Sequence, residues 1–159
     1  MIQARELRIG SLFHPVDRSG TIHMPATGLI FKIVELKAFT VSAVLFDENP
    51  AQVETWPEFQ YSDLSPIQLT PEILLKCGFK YGKTGKKKDD SFTQFWDIKT
   101  PQHPKNFGSW TFTLVRWWLN NVPREIVFSH HNMRCECKHL HQLQNLYYAL
   151  TGQELTYQP

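Results

Sequence analysis

Between Leu7 and Tyr61 the chain offers only short strand-like runs, at 11–16, 29–36, 39–46 and 53–61, parted by turn-forming residues at 17–20, 37–38 and 47–50. In the third run Phe39, Val41, Ala43 and Leu45 alternate with Thr40 and Ser42, the period of two expected when a strand buries one face. The second and third runs are spaced to form a hairpin. Strands this short gain little from a flat sheet, so a small curled barrel of SH3-like kind is the economical solution for residues 1–66.

Residues 64–71 carry Pro66 and Pro71 and read as a joint without regular structure. A short helix is expected at 71–77. The Thr70 hydroxyl can cap it, Pro71 suits its first position, Gly78 can end it, and Ile73, Leu74 and Cys77 form its buried stripe. Strands follow at 79–81, 91–98, 109–119, 125–129 and 133–138, with a basic turn after the first and a Pro/Gly loop at 100–108. Trp110, Phe112 and Leu114 share one face of the third of these, Thr111 and Thr113 the other. From 140 to 151, Leu140, Leu143, Leu146, Tyr147 and Leu150 form a helical stripe, Gln142 and Asn145 lie opposite, and Gly152 ends the helix. That stripe is expected to cover the face of Trp110, Phe112 and Leu114. The fold class is therefore α+β. A barrel-like half, 1–66, precedes an antiparallel sheet flanked by a short helix and a C-terminal helix, 67–159, the halves docking as one compact unit.

With 159 residues, 42% of them hydrophobic, the chain can bury a core without disulfides or a metal. No apolar run reaches the ~20 residues of a membrane span, and MIQARELRIG is charged where a signal peptide would be apolar, so a soluble cytoplasmic protein with no membrane partner is expected. Cys77, Cys135 and Cys137 are an odd number and read as free thiols. Residues 1–66 hold 5 Lys+Arg against 8 Asp+Glu, and residues 67–159 hold 12 against 7, so only the second half could face an anion.

Four motifs carry possible chemistry. Cys135, Cys137 and His139 would share a strand face and offer zinc ligands. C-x-C on a strand, however, holds its sulfurs about 6–7 Å apart, too far to share one tetrahedral ion, so no metal and no cofactor are expected. Gly82–Lys83–Thr84 lacks the spacing and the following helix of a phosphate loop. Lys83, Lys86, Lys87 and Lys88, with Lys80, form a basic patch that, with Trp96 as a stacking platform, could bind single-stranded nucleic acid. A solvated hairpin tip is the plainer reading of the same lysines. Trp117 and Trp118 are adjacent, so on a strand one of them would face outward as a candidate partner surface. No nucleophile elbow or zinc-protease motif is present, and no catalytic residue is assigned.

Three segments, ELRIG at 6–10, PIQLTPEILLKCGF at 66–79 and HQLQNLYYALTGQEL at 141–155, resemble a family of uncharacterised proteins of phages, prophages and mobile elements in Bacteroides and related gut bacteria. The resemblance implies a mobile-element context and no catalytic residues. The expected function is accordingly an accessory binding module without catalysis, with a protein or nucleic-acid partner. The alternative is a small enzyme acting on nucleic acid or cell-wall material between the halves.

Overall fold

The computed structural model describes residues 4–16, 29–46, 57–82, 85–86, 92–100, 111–119, 122–130 and 133–158. By internal packing the chain divides into two units, Met1–Ile67 with His139–Asn145, and Gln68–Lys138 with Leu146–Pro159. It is a mixed α+β protein with two antiparallel sheets and few helices. No helix among the described residues is long and apolar enough to cross a membrane.

The first unit holds β1 (Leu12–Pro15), β2 (Phe31–Leu36), β3 (Thr40–Leu45), β4 (Glu58–Gln60) and β5 (Leu64–Pro66) in the order β4-β3-β2-β1-β5, with a 3-10 turn at Tyr61–Asp63. Its core is aromatic. Phe59 meets Phe13 and Phe31 edge-on at centroid distances of 5.5 and 5.2 Å, among buried Ile33, Val41, Ala43 and Leu64. Three expectations are corrected here. β3 is buried on both faces, from Val41 through Val44, and Ser42 tolerates this by donating to Glu35 Oε2 at 3.0 Å. Phe39 precedes the strand and is 84% exposed. The joint begins with a strand: Phe13 stands opposite Pro66 and His14 opposite Ser65, and β5 is a sheet edge where proline is tolerated. Among the described residues β4 and β5 do not pair with each other, so the sheet is not closed.

The same unit includes Leu140–Asn145, the first half of α2 (Leu140–Thr151). Asn145 does not lie toward solvent as its helical position suggested. Its Oδ1 accepts from Arg8 Nε at 2.8 Å and its Nδ2 donates to the Glu6 carbonyl at 2.6 Å. Gln144, 3% exposed, accepts from Leu12 N–H at 3.2 Å and donates to the Gly10 carbonyl at 3.4 Å.

The second unit opens with α1 (Pro71–Lys76), where Thr70 Oγ1 accepts from Ile73 N–H at 3.3 Å and Gly78 ends the turn at φ +81°. Its sheet comprises β6 (Lys80–Tyr81), β7 (Gly85–Lys86), β8 (Phe92–Lys99), β9 (Thr111–Leu119), β10 (Val122–His130) and β11 (Met133–Glu136). The order is β11-β10-β9-β8-β6, with β7 also on β8. The covered face carries Trp96, Phe112, Leu114 and Phe128, all at most 1% exposed. Phe112 lies 4.4 Å from Phe128 and 5.4 Å from Tyr147 of α2, centroid to centroid. Trp110, expected on this face, lies outside the described residues.

Candidate binding surface at the β10–β11 margin

Along β9 the pairing with β10 steps from Trp118 to Arg116, while along β10 it steps from Pro123 to Ile126. One residue is therefore extra, and Arg124 and Glu125 together oppose a single position of β9. Such a bulge twists a strand and re-aims its side chains, which is why bulges gather beside functional surfaces. Here both bulge residues line two grooves. The larger, about 580 Å³, is bounded by Pro123, Arg124, Glu125, Val127, Arg134 and Glu136. The smaller, about 280 Å³, shares Pro123, Arg124 and Glu125 and adds Arg116, Cys137 and Lys138 among others.

Electrostatics at this margin favour ionised, paired groups. Lys138 Nζ lies 2.8 Å from Glu125 and 3.8 Å from Glu136, and the hydrogen bond from Lys138 holds the Glu125 carboxyl below the usual carboxylate range. Arg116 is half-buried, its Nε has no hydrogen-bond partner, and burial lowers its pKa against the opposing charge of Glu72. Burial also pushes the Cys137 thiol up to about 12, whereas Cys135 is exposed. The two cysteines and half-buried His139 thus stand in different surroundings. Among the described residues no group of three or more His, Cys, Asp or Glu side chains is placed to hold a metal ion.

The expected basic patch falls largely outside the described residues. Lys80 is exposed on the edge strand β6 but stands opposite Asp97 in the ladder. Lys86 belongs to β7, while Lys83, Lys87 and Lys88 lie outside the described residues. Trp96 corrects the stacking expectation: it is 1% exposed, packed against Tyr81 at 6.0 Å, and belongs to the core where no base can reach it. Tyr81, 52% exposed, is the aromatic this edge presents, beside a groove of about 480 Å³ that includes Gly82 and Lys99. Gly82 is tightly placed there, since a Cβ would lie 3.2 Å from Phe95 Cβ and Phe95 would have to give by a few tenths of an ångström. Trp117 stands opposite Thr93, and Trp118 opposite Phe92 and Pro123, while their side chains lie outside what is described.

In the first unit His141 is 1% exposed, stacks on His139 at 5.6 Å, and has neither ring nitrogen hydrogen-bonded. Burial lowers its pKa to about 4. Sequence reasoning passed over Arg124, Val127, Arg134 and Glu136. The signal was the alternation Arg134, Cys135, Glu136, Cys137, Lys138, which the cysteines drew toward metal chemistry although its charged members share one strand face. No family model, no curated protein and no solved structure matches the chain.

Proposed function

We propose that the protein is a binding module without catalysis that recognises a protein partner on the outer face of the β10–β11 margin. The observation that carries this reading is the interleaving of Arg124 and Arg134 with Glu125 and Glu136 around Val127 and Pro123 in one open groove. A nucleic-acid site neutralises phosphates and calls for cations of one sign, whereas alternating signs over an apolar floor suit a polypeptide of complementary pattern. Glu125 is held ionised, the Cys77 and Cys137 thiols are pushed to about 12, and the His141 imidazole is held to about 4.

Two finer features belong to this proposal. The strand order β4-β3-β2-β1-β5, with a 3-10 turn between β4 and β5, supports reading the first unit as SH3-like. The three sequence words at 6–10, 66–79 and 141–155 support an accessory role in a phage or mobile element of Bacteroides-type bacteria.

The test is retention of a host protein by the immobilised chain, compared with Arg124→Glu and Val127→Lys. A protein held by the wild type and lost from both variants supports the reading, and equal retention by all three removes it. Binding of single-stranded oligonucleotide with a log–log salt slope near −3 would instead assign a nucleic-acid partner contacted by about four lysines.

A further inference from the structure

The extra residue of β10 between Pro123 and Ile126 brings Arg124 and Glu125 together to the smaller pocket, of about 280 Å³. Arg116 lines it from β9, Cys137 and Lys138 from just after β11, and Leu69 from the segment before α1, all within the second unit. Four of its lining residues are charged. Lys138 Nζ lies 2.8 Å from Glu125, so these two neutralise each other, and the surplus charge of the pocket rests on the guanidiniums of Arg116 and Arg124.

Arg116 is the costly one. It is half-buried, its Nε is out of solvent without a hydrogen-bond partner, and burial acts on it more strongly than the opposing charge of Glu72. The fold thus takes a cation out of water without returning an equal negative charge, an arrangement that an anion in the pocket would complete.

We propose that this pocket takes the carboxylate of an acidic residue on the protein docked in the neighbouring groove, held between Arg116 and Arg124. The inference rests on the reading of that groove and adds to it the chemistry of the partner. Pro123, Arg124 and Glu125 line both cavities, so a polypeptide lying in the larger one can reach the smaller with one side chain. Charge and shape favour carboxylate over phosphate. A guanidinium presents paired N–H donors that match the two oxygens of a carboxylate, and its single negative charge is shared by two guanidiniums. A phosphate would bring a second negative charge beside Glu125, which the hydrogen bond from Lys138 keeps ionised. Among the described residues Glu72 and Glu136 do not line the pocket; Glu136 lies 3.8 Å from Lys138 and borders the larger groove.

The experiment replaces sodium chloride by sodium acetate at constant ionic strength and neutral pH and follows the full chain by heteronuclear NMR. The Arg116 Nε–H resonance is the one absent from Arg116→Lys. Acetate shifts this resonance and the Cys137 amide saturably, whereas acetamide, of the same shape without the charge, does not. Arg124→Gln, at an exposed position, weakens acetate binding by up to about fivefold, the range of a solvent-screened pair. Arg116→Lys keeps the charge, loses the planar donor edge and weakens it further, read at the Cys137 amide. Lys32→Gln removes a cation of the first unit and leaves acetate binding unchanged. Circular dichroism shows that each variant is folded. A shift that never saturates, that acetamide reproduces or that Arg124→Gln leaves unchanged overturns the proposal, as does inorganic phosphate binding more tightly than acetate. The groove reading fails separately. A host protein lost with Val127→Lys but indifferent to acetate and to Arg116→Lys keeps the groove and removes the carboxylate contact. Saturable acetate binding with no retained protein removes the groove partner as the source of the carboxylate.

Discussion

Leu140–Asn145 and Leu146–Thr151 are consecutive halves of one helix, yet they serve their units by different chemistry. In the first unit Gln144 and Asn145 bond to backbone groups between 132 and 139 residues away, at Leu12, Gly10 and Glu6. In the second unit Tyr147 lays its ring against Phe112. The amides fix orientation, since each buried partner they leave unpaired carries a desolvation penalty. The ring supplies apolar burial, which tolerates small displacement and scales with area. A comparison of the two also explains why an unpaired imidazole, His141, persists in the first unit. It is held neutral, and a neutral ring is far less costly to bury than a charged one.

Four measurements break or sharpen that contrast. The largest effect belongs to the second unit: Phe112→Ala removes a ring packed on Phe79, Phe128 and Tyr147 and should cost about 3–5 kcal/mol by urea denaturation. A smaller loss than for the amide variant below would reverse the ranking. Next comes acid sensitivity in the first unit. Unfolded, His141 takes up its proton near its ordinary 6.5; folded, it does so only near 4, so the unfolded chain binds more protons between these values. Stability should fall as pH drops through that window, by roughly 3 kcal/mol at its acid end, and His141→Leu should flatten the profile. Third, Gln144→Leu leaves Leu12 N–H and the Gly10 carbonyl without their side-chain partner and should cost about 1–3 kcal/mol despite adding apolar volume. An unchanged midpoint would mean that water replaces the amide. Last, Lys37→Ala removes the exposed ion pair with Glu58 and should leave the midpoint unmoved, the behaviour of solvent-screened charges.

What could be read locally was read from local chemistry. Thr70, Pro71 and Gly78 specify a helix start and stop through the hydroxyl cap, a fixed φ and a left-handed residue, and α1 lies between them. The stripe Leu140, Leu143 and Tyr147 is buried, and α2 ends before Gly152 at φ +70°. The hairpin of β2 and β3 likewise follows from two runs separated by a short turn. Pro66 misled because a proline inside a strand is excluded only from the sheet interior, and whether a strand is an edge depends on neighbours far along the chain.

The sequence by itself determined both helices and most of the strands, β5 and β7 apart, because periodicity, capping and turn residues act over a few bonds. Only the tertiary structure decided that Trp96 is core, since an alternating strand reveals two faces without saying which is covered. It alone placed Arg124 and Glu125 in a bulge, for a bulge is a mismatch between two strands and exists in neither alone. Strand order is set by which pairings bury the most surface together, a sum over residues that no single segment contains.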